Sequence, residues 1–469
     1  MIESKQVVKT VFIALVLDLL AFTIPLPLFP RLTAWYLVRD SSPSSLLSRL
    51  LALSHSWRST LLSLSSHTDA ATKLLDDKKN WDVVLLGGAM GSLFSFCQCL
   101  ISPWLGRLSD KYGRKRVLLL TMSGNIISAM IWIQSTSFAS FLLSRLVGGL
   151  SEGNVQLSTA IISDVTTAST RSKSLALVGI AFSICFTLGP SLGAYFASRP
   201  VPIPSTEDKL NIYALPATIS LVLLLVETIY LAAKLPETRE YRKQEGLSNG
   251  VASTEKGEEK VVTLSVNERL SKLSTIGNLH GLFLLFFSGA EFTLTFLTYD
   301  LFGASNMQNG RLLSFIGILA AMLQARHVRP SLARLGELRV ASFGILSCVI
   351  GLSLLSILPL QGIVSSSKLS TTVLYAAATC LAYTSATVVT GLTAAAASYC
   401  DESHDSLKRG RALGSFRSRG QLGRAVGPLL ASSIYWVRGP TVAYTTLATC
   451  LAGVLLWSRK ETRGRSYQK

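Results

Sequence analysis

The sequence is poor in charged residues for its length. Only 15 % of its 469 residues are Asp, Glu, Lys or Arg, whereas soluble domains have roughly 25 %. Hydrophobic residues make up 49 % of the chain, so few polar side chains remain to cover a water-soluble body of this size. This shortage excludes a soluble globular protein and predicts an integral membrane protein with many spans.

Acidic residues are also scarce relative to basic ones, with 27 Asp and Glu against 45 Lys and Arg. Binding to nucleic acid would need these cations on one face of a soluble domain. Here they occupy short segments between apolar runs, which is the pattern that retains Lys and Arg on the cytoplasmic side of a membrane. We therefore expect contact with the lipid bilayer and none with nucleic acid.

The chain has few side chains for catalysis or metal binding. It contains seven cysteines and five histidines, and none of them has the paired spacing of a metal site. A nucleotide-binding loop and a nucleophile–base arrangement are both missing from the sequence. We predict no enzymatic activity, no catalytic residue, no bound metal and no cofactor.

What the sequence has in abundance is apolar runs of about 20 residues, the length that crosses a bilayer. Twelve such windows form two groups of six, with a charged segment between the groups. The windows are 9–30, 82–105, 117–135, 138–160, 174–196 and 212–234, then 279–301, 311–327, 340–359, 371–397, 412–437 and 440–457. The prediction is an all-α membrane protein with twelve transmembrane helices in two pseudo-symmetric six-helix bundles.

The segments between these windows set the predicted domain boundaries. The N-terminal bundle is 1–236, with a long non-cytoplasmic loop over 31–80, and the C-terminal bundle is 276–458. A cytoplasmic central loop (237–275) separates them, and a basic cytoplasmic tail (459–469) follows. An even number of spans puts both termini on one side, and the basic clusters there make that side cytoplasmic. We expect a monomer, and the choice between plasma and internal membrane stays open.

The two halves resemble each other in sequence. Gly189-Pro190 follows Arg171 at the same spacing at which Gly427-Pro428 follows Arg409. Gln98 and Gln324 each lie in the second span of a half. Such matches are typical of parallel six-helix repeats.

A basic loop follows the second span, GRLSDKYGRKR, with Gly106, Asp110, Gly113, Arg114 and Lys115. Gly106 permits close approach of another helix, and Gly113 permits a left-handed turn. The cations are expected to face anionic headgroups. An acid such as Asp110 is stabilised beside a helix N-terminus.

This loop resembles the signature loop of the major facilitator superfamily. The resemblance implies that Asp110 contacts the start of the eleventh helix, near residues 410–413, and closes the cytoplasmic side as a gate. The alternative is a solvated loop that only fixes topology.

Further segments resemble the tetracycline-type drug/proton antiporters of that superfamily. SDVTTASTR, with Asp164 and Arg171, is similar to their loop after helix 4. TLGPSLGA, with Gly189, Pro190 and Gly193, is similar to their helix-5 motif, although Cys185, Ala176 and Ala194 stand where that motif has glycines. SRLVGGLSEGN and FRSRGQLGRAVGP are similar to animal tetracycline-transporter-like proteins, which implies an organic-anion or drug carrier.

Several charged side chains fall inside the apolar windows, where an ionised group costs at least about 2.5–3.5 kcal/mol unless it faces a cavity or a partner. Asp18 and Glu291 lie in the first helix of each half, and Glu227 lies in the sixth. Arg145 and Glu152 are seven residues apart, as are Arg417 and Arg424, so each pair shares a helix face. The candidates for proton coupling or substrate binding are Asp18, Glu291, Glu227, Arg145, Glu152, Arg417, Arg424, Gln98 and Gln324.

Alternatives exist for each of these candidates. The acids and arginines could form structural ion pairs, and the glutamines could join helices rather than bind a ligand. Arg145 could serve as a proton-relay or closure residue, and Glu152 could pair with an arginine of the eleventh helix. An arginine of that helix facing the cavity would favour an anionic substrate.

The leading functional prediction is a secondary active transporter with alternating access. It would couple protons to the export of an amphipathic drug or organic anion. A facilitator or symporter of a small nutrient is one alternative. A receptor or scaffold that keeps the fold without transport is another.

Overall fold

The structure is a computed structural model that describes residues 4–25, 28–40, 42, 45–63, 78–197, 210–239 and 264–466. Part of the predicted first loop (64–77), most of the predicted central loop (240–263) and the end of the predicted tail (467–469) lie outside the described residues.

The N-terminal half forms nine helices within the described residues. They are α1 Ser4–Thr23, α2 Phe29–Arg39, α3 Leu46–Ser63, α4 Lys78–Tyr112, α5 Arg114–Ile133, α6 Phe138–Ser151, α7 Asn154–Val165, α8 Ala168–Ala197 and α9 Ala214–Lys234. The helices α2 and α3 belong to the predicted first loop, and the others account for the first six spans.

The C-terminal half continues with longer helices. They are α10 Val266–Phe302, α11 Asn306–Leu323, α12 Arg329–Leu335, α13 Glu337–Ile357, α14 Gln361–Val364, α15 Ser367–Ser398 and α16 Arg409–Ser466. A π-helical turn, Gln324–Val328, joins α11 to α12. The two last spans are both in α16, which bends sharply at Gly439 (φ 84°).

Nine of the described helical segments are long and apolar enough to cross a membrane by length and composition. One of these, α16, contains two spans. Two further spans are α4 and the broken pair α6–α7. The sequence therefore folds as two bundles of six spans.

The bundles repeat each other in detail. The helices α5 and α13, the third span of each half, both begin after a glycine with positive φ, Gly113 (104°) and Gly336 (86°). In the fifth span of each half, a Gly-Pro pair marks close packing on the first span. Gly189 meets Thr23 of α1, and Gly427 meets Leu285 and Ser288 of α10.

The fourth span differs from the prediction. It was expected as one helix over 138–160, with Arg145 and Glu152 on one face. The chain instead leaves the helix at Glu152 (φ −75°, ψ 95°) and starts α7 at Asn154. The shared-face argument for Arg145 and Glu152 ends at this break, because it assumes an uninterrupted 3.6-residue period.

Two boundaries also lie elsewhere than predicted. The helix α10 begins at Val266, inside the segment assigned to the central loop, because Ser265 and Glu268 form a capping box that starts a helix there. The last helix runs to Ser466 rather than ending before the tail. Lys272 pairs with Glu461 at 2.7 Å and holds these two extensions together.

The described part of the first loop packs on the end of the N-terminal bundle at which α6 begins. Tyr36 of α2 is fully buried, and its hydroxyl donates to the Ser135 carbonyl at 2.8 Å. Asn211 donates to the same carbonyl at 2.7 Å, and Asp40 accepts from the Phe138 amide at the start of α6. The loop is thereby fastened to three spans.

Glycines allow α10 and α16 to approach each other closely along their length. A Cβ atom added to Gly423 would lie 2.1 Å from the Gly281 carbonyl oxygen, and one added to Gly427 would lie 2.3 Å from the Leu285 carbonyl oxygen. Both partners are backbone atoms, which cannot turn aside as a side chain can. Small residues at such seams are typical of packed membrane helices.

We expect Gly423→Ala to destabilise the protein by about 1–3 kcal/mol, because the added methyl group forces the helices apart. The matched control is Gly453→Ala in the same helix, where an added Cβ meets nothing within 4 Å. The measurement is thermal unfolding in detergent. Equal melting temperatures for the two variants would contradict the close approach.

Candidate functional site

A clasp joins the two bundles at the basic end of the molecule, where α4 ends and α16 begins. The Asp110 carboxylate accepts hydrogen bonds from the backbone amides of Gly410 (3.0 Å) and Arg411 (2.7 Å). These amides belong to the first turn of α16 and have no acceptor within their own helix. Gly106 and Gly410 lie backbone to backbone beside them.

An ion network completes the clasp. Arg114 is 1 % exposed and pairs with Asp110 at 2.7 Å and, through Nε, with Asp164 at 2.9 Å. The other Asp164 oxygen receives Arg409 of α16 at 3.1 Å. Arg409 also pairs with Glu402 at 3.3 Å. The network therefore has three acids and two arginines, and Asp164 binds a cation from each bundle. We use "clasp" for Asp110, Arg114, Asp164, Arg409 and the first amides of α16.

Glu237, just after α9, supports the clasp and was missed by the sequence analysis. Its carboxylate accepts from the amides of Arg114 (2.8 Å) and Lys115 (3.2 Å), so it caps α5. The Lys115 ammonium donates to the Ala232 carbonyl at 2.8 Å, which ties it to α9 rather than to lipid alone. Gly113 faces Glu237, and a Cβ there would lie 2.4 Å from its oxygen. The feature of the sequence that could have indicated Glu237 was an acid directly after the sixth apolar run.

Two further contacts cross between the bundles. Arg171 of α8 donates to the Ala397 carbonyl of α15 at 3.3 Å, where it meets an unpaired carbonyl of the last helical turn. Gln324, at the π-helical turn, donates to Thr390 at 2.6 Å and packs against Gly179 of α8. Gln324 therefore joins helices in this conformation.

The helix-5 residues pack α8 on α1. A Cβ on Gly189 would lie 1.9 Å from Thr23 Oγ1, and one on Gly193 would lie 2.1 Å from the Ile24 carbonyl oxygen. Pro190 lies between them inside α8. In this conformation these residues allow α8 and α1 to approach each other closely.

Inside the N-terminal bundle, carboxylates meet the break between α6 and α7. Asp18 is 3 % exposed and accepts from Asn154 Nδ2 at 2.6 Å. Thr121 donates to the Asn154 amide oxygen at 3.2 Å, and Asn125 donates to Glu152 at 3.3 Å. The break in the fourth span thus aims the first residue of α7 at Asp18.

A third carboxylate, Glu227 of α9, interacts electrostatically with both Asp18 and Glu152. It is 1 % exposed, and among the described residues its Oε2 has no hydrogen-bond partner. Arg417 of α16 reaches this group from the opposite bundle and interacts with Glu152 and Asp18. Arg417 therefore attracts two acids of the opposite bundle, and the third acid, Glu227, lies within electrostatic range of those two.

Glu291 lies on the inward side of α10. The residues above and below it on the same helix face, Phe287, Leu294 and Thr298, are buried. Glu291 itself is exposed. It interacts electrostatically with Arg424, which is partly buried.

Sequence reasoning gave His280 of α10 no role. In the structure, His280 interacts electrostatically with both Arg417 and Arg424. Its ring is 5 % exposed and stacks on Phe416, with centroids 4.3 Å apart. Neither ring nitrogen makes a hydrogen bond of good geometry among the described residues, and the nearest acceptor is the Phe416 backbone. In the sequence, a lone histidine at a predicted helix start gave no indication of these neighbours.

The remaining candidates lie in other surroundings. The Arg145 guanidinium stacks on Trp132 and Phe141, 5.7 and 5.5 Å from their ring centroids, near the fastened first loop. Arg419 turns away from Arg417 and donates to Ser274 and Asn278. Gln98 is buried in α4.

Comparison with known proteins identifies the family. Residues 11–366 match the model of the Major Facilitator Superfamily. Major facilitator superfamily domain-containing protein 10 of Mus musculus is 32 % identical over 98 % of this chain and 94 % of its own length. The chain belongs to the major facilitator superfamily, whose members are transporters rather than enzymes.

Two further likenesses concern the branch. The crystal structure of the human organic anion transporter MFSD10 (TETRAN) superposes with a TM-score of 0.77 at 30 % identity, covering 98 % of this chain and 100 % of that one. Tetracycline resistance protein, class B, of Escherichia coli is 31 % identical over 23 % of this chain and 27 % of its own length. The predicted fold class and the predicted resemblance are both confirmed.

We expect Asp110→Ala to open the basic end, because α16 loses two charge-assisted hydrogen bonds, each worth about 1.5–3 kcal/mol. Cys99 reports the opening, since it lies at the α4–α16 interface, where Ser418 donates to its carbonyl. In a Cys380→Ser, Cys450→Ser background, maleimide labelling of Cys99 should accelerate about tenfold; the other four cysteines are buried.

The control for this experiment is Asp405→Asn, just before α16. Lys408 donates to Asp405 and, together with Arg411, lowers the pKa of this exposed carboxyl below its ordinary value. The side chains of Asp405, Lys408 and Arg411 lie outside the clasp, which uses only the backbone amide of Arg411. Labelling should therefore stay at the wild-type rate. Equal labelling of both variants and wild type would contradict the clasp.

Proposed function

We propose that the protein is a proton-coupled carrier of organic anions or amphipathic drug-like molecules that works by alternating access. Its two bundles would rock about the central charged site while the clasp opens and closes. The conformation described here is the one in which the basic end is closed.

The observation that carries the proposal is that Arg417 of one bundle interacts electrostatically with Asp18 and Glu152 of the other, with Glu227 beside these two acids. Ionisable groups inside a membrane protein are costly, and they occur where protons, ions or substrates move. A change in their charge alters the attraction between the bundles, which links protonation to rocking.

The topology follows from the charge distribution. We place the basic end, both termini and the segment between the bundles in the cytosol, because Lys and Arg are retained there. The bundles are then 1–236 and 276–458, although α10 extends back to Val266. Each would move as a unit of one monomer.

The substrate class follows from the relatives and from the site. The human structure is that of an organic anion transporter, and the bacterial relative confers tetracycline resistance. Arg417 and Arg424 give this chain two cations on one face of α16, which suits an anionic group. The direction of transport that we propose is export.

To test proton coupling, purified protein in liposomes would be given a pH gradient and a radiolabelled organic anion. We expect Asp18→Asn and Glu291→Gln to reduce gradient-driven transport about tenfold or more, because each removes a titratable group of the central site. Exchange of substrate without a gradient should persist.

The matched control is Glu461→Gln, which removes an acid of similar size from the Lys272 pair at the basic end. It should transport as wild type does. Transport that ignores the pH gradient, and that neither central variant changes, would refute proton coupling.

A further inference from the structure

Arg417 has binding capacity that its surroundings do not use. Its side chain is partly buried, and its Nε has no hydrogen-bond partner among the described residues. Its attraction to Glu152 and Asp18 acts at a distance, whereas the direct buried ion pairs of the described chain lie in the clasp. A guanidinium has five N–H donors, so Arg417 can accept another anion.

The neighbouring arginine on the same helix behaves differently. Arg419 donates to the Ser274 carbonyl (2.6 Å), the Ser274 hydroxyl (3.1 Å) and Asn278 (3.1 Å) of α10. These bonds fix its position in the C-terminal bundle. The contrast marks Arg417 as the arginine that can change partners.

The charged and titratable groups around Arg417 come from every neighbouring element. They are Asp18 of α1, Glu152 at the α6–α7 break, Glu227 of α9, His280 of α10, Arg424 of α16 and, next to Asp18, Cys185 of α8. These acids lie in the N-terminal bundle. The C-terminal bundle contributes the two arginines and the histidine, together with Glu291 of α10, which interacts with Arg424. The two carboxylates that attract Arg417, Asp18 and Glu152, leave an excess of negative charge that proton uptake neutralises.

We propose that Arg417 is shared between these carboxylates and the anionic group of the substrate, so that proton and anion bind together and move in the same direction. This inference rests on the proposed function. While the carboxylates are ionised, they attract Arg417 and repel an incoming anion. When they take up a proton, Arg417 attracts the anion instead.

The C-terminal side of the site suits such a ligand. The His280 ring always carries at least one N–H donor, and it lies within electrostatic range of both arginines. Its stack with Phe416 adds a flat apolar surface. An aryl group bearing a sulfonate or carboxylate has the matching shape and charge.

The sign of coupling therefore depends on the charge of the substrate. An anion competes with the ionised carboxylates for Arg417, so protonation favours its binding. A cation would compete with protons for the carboxylates, which gives exchange in opposite directions. For an anionic cargo the inference is therefore co-transport with protons, whereas the antiport predicted from the sequence would hold for a cationic cargo.

The test uses naphthalene-1-sulfonate, a strong-acid anion that stays ionised and cannot carry protons across lipid by itself. Full-length protein is placed in liposomes with a pH dye in the lumen, and potassium with valinomycin clamps the membrane potential. An inward anion gradient should acidify the lumen. Protein-free liposomes give the background.

The possible outcomes separate the two proposals. Lumen acidification that accompanies anion entry supports co-transport. Anion entry with an alkaline or unchanged lumen overturns this inference and leaves the carrier intact. Absence of any exchange of naphthalene-1-sulfonate overturns the proposed organic-anion carrier and, with it, this inference.

Binding provides a second measurement that does not depend on transport. Reciprocal linkage of one proton makes the apparent affinity rise by at most about tenfold for each unit of pH decrease. We expect this slope in wild type and in Glu461→Gln. In Asp18→Asn/Glu152→Gln, which mimics the protonated state, affinity should be high at all pH values.

A naphthyl ammonium compound should show the reverse pH dependence in wild type. Arg417→Gln should weaken sulfonate binding at low pH by tenfold or more, whereas Arg417→Lys should retain part of it. Sulfonate affinity that rises with pH, or a slope that survives the double substitution, would overturn the shared-arginine account.

Discussion

The cost of holding charge in hydrocarbon is the constraint on which this structure depends. Each ionised side chain in a span needs a partner, water or a proton. The protein meets this requirement in two ways. At the basic end, Asp164 and its neighbours are paired directly. At the centre, the carboxylates outnumber the nearby guanidinium groups, and the proposed proton coupling depends on this excess.

Local breaks in regular structure position these charges. The interruption at Glu152 lets Asn154 begin a new helix with its amide on Asp18, and Gly153 leaves room there for Leu105 and Thr121. In a continuous helix, successive side chains would be rotated by a fixed 100° about the axis, and these polar groups would be buried against other neighbours. Breaking the helix instead exposes backbone groups, a cost that membrane proteins accept where they line a polar interior.

Much of the fold was predictable from the sequence, because span length and the positions of Lys and Arg are read directly from hydropathy. The contact of Asp110 with the start of the eleventh span also followed from its motif. The break at Glu152 did not, since hydropathy is the same for a bent and a straight span. His280 and Glu237 were missed for another reason: their partners lie far away in the chain, and only packing brings Phe416, Arg417 and the α5 amides beside them.

The bend at Gly439 has a mechanical consequence. Since one left-handed residue joins the eleventh and twelfth spans, the connection has no slack, and the two arms of α16 form a stiff hairpin. The second arm is bonded to α10, where Thr293 donates to the Tyr444 hydroxyl at 3.1 Å. In the proposed transport cycle, a force that a bound ligand exerts on Arg417 or Arg424 would therefore act on three spans at once, so that the half would move as a unit.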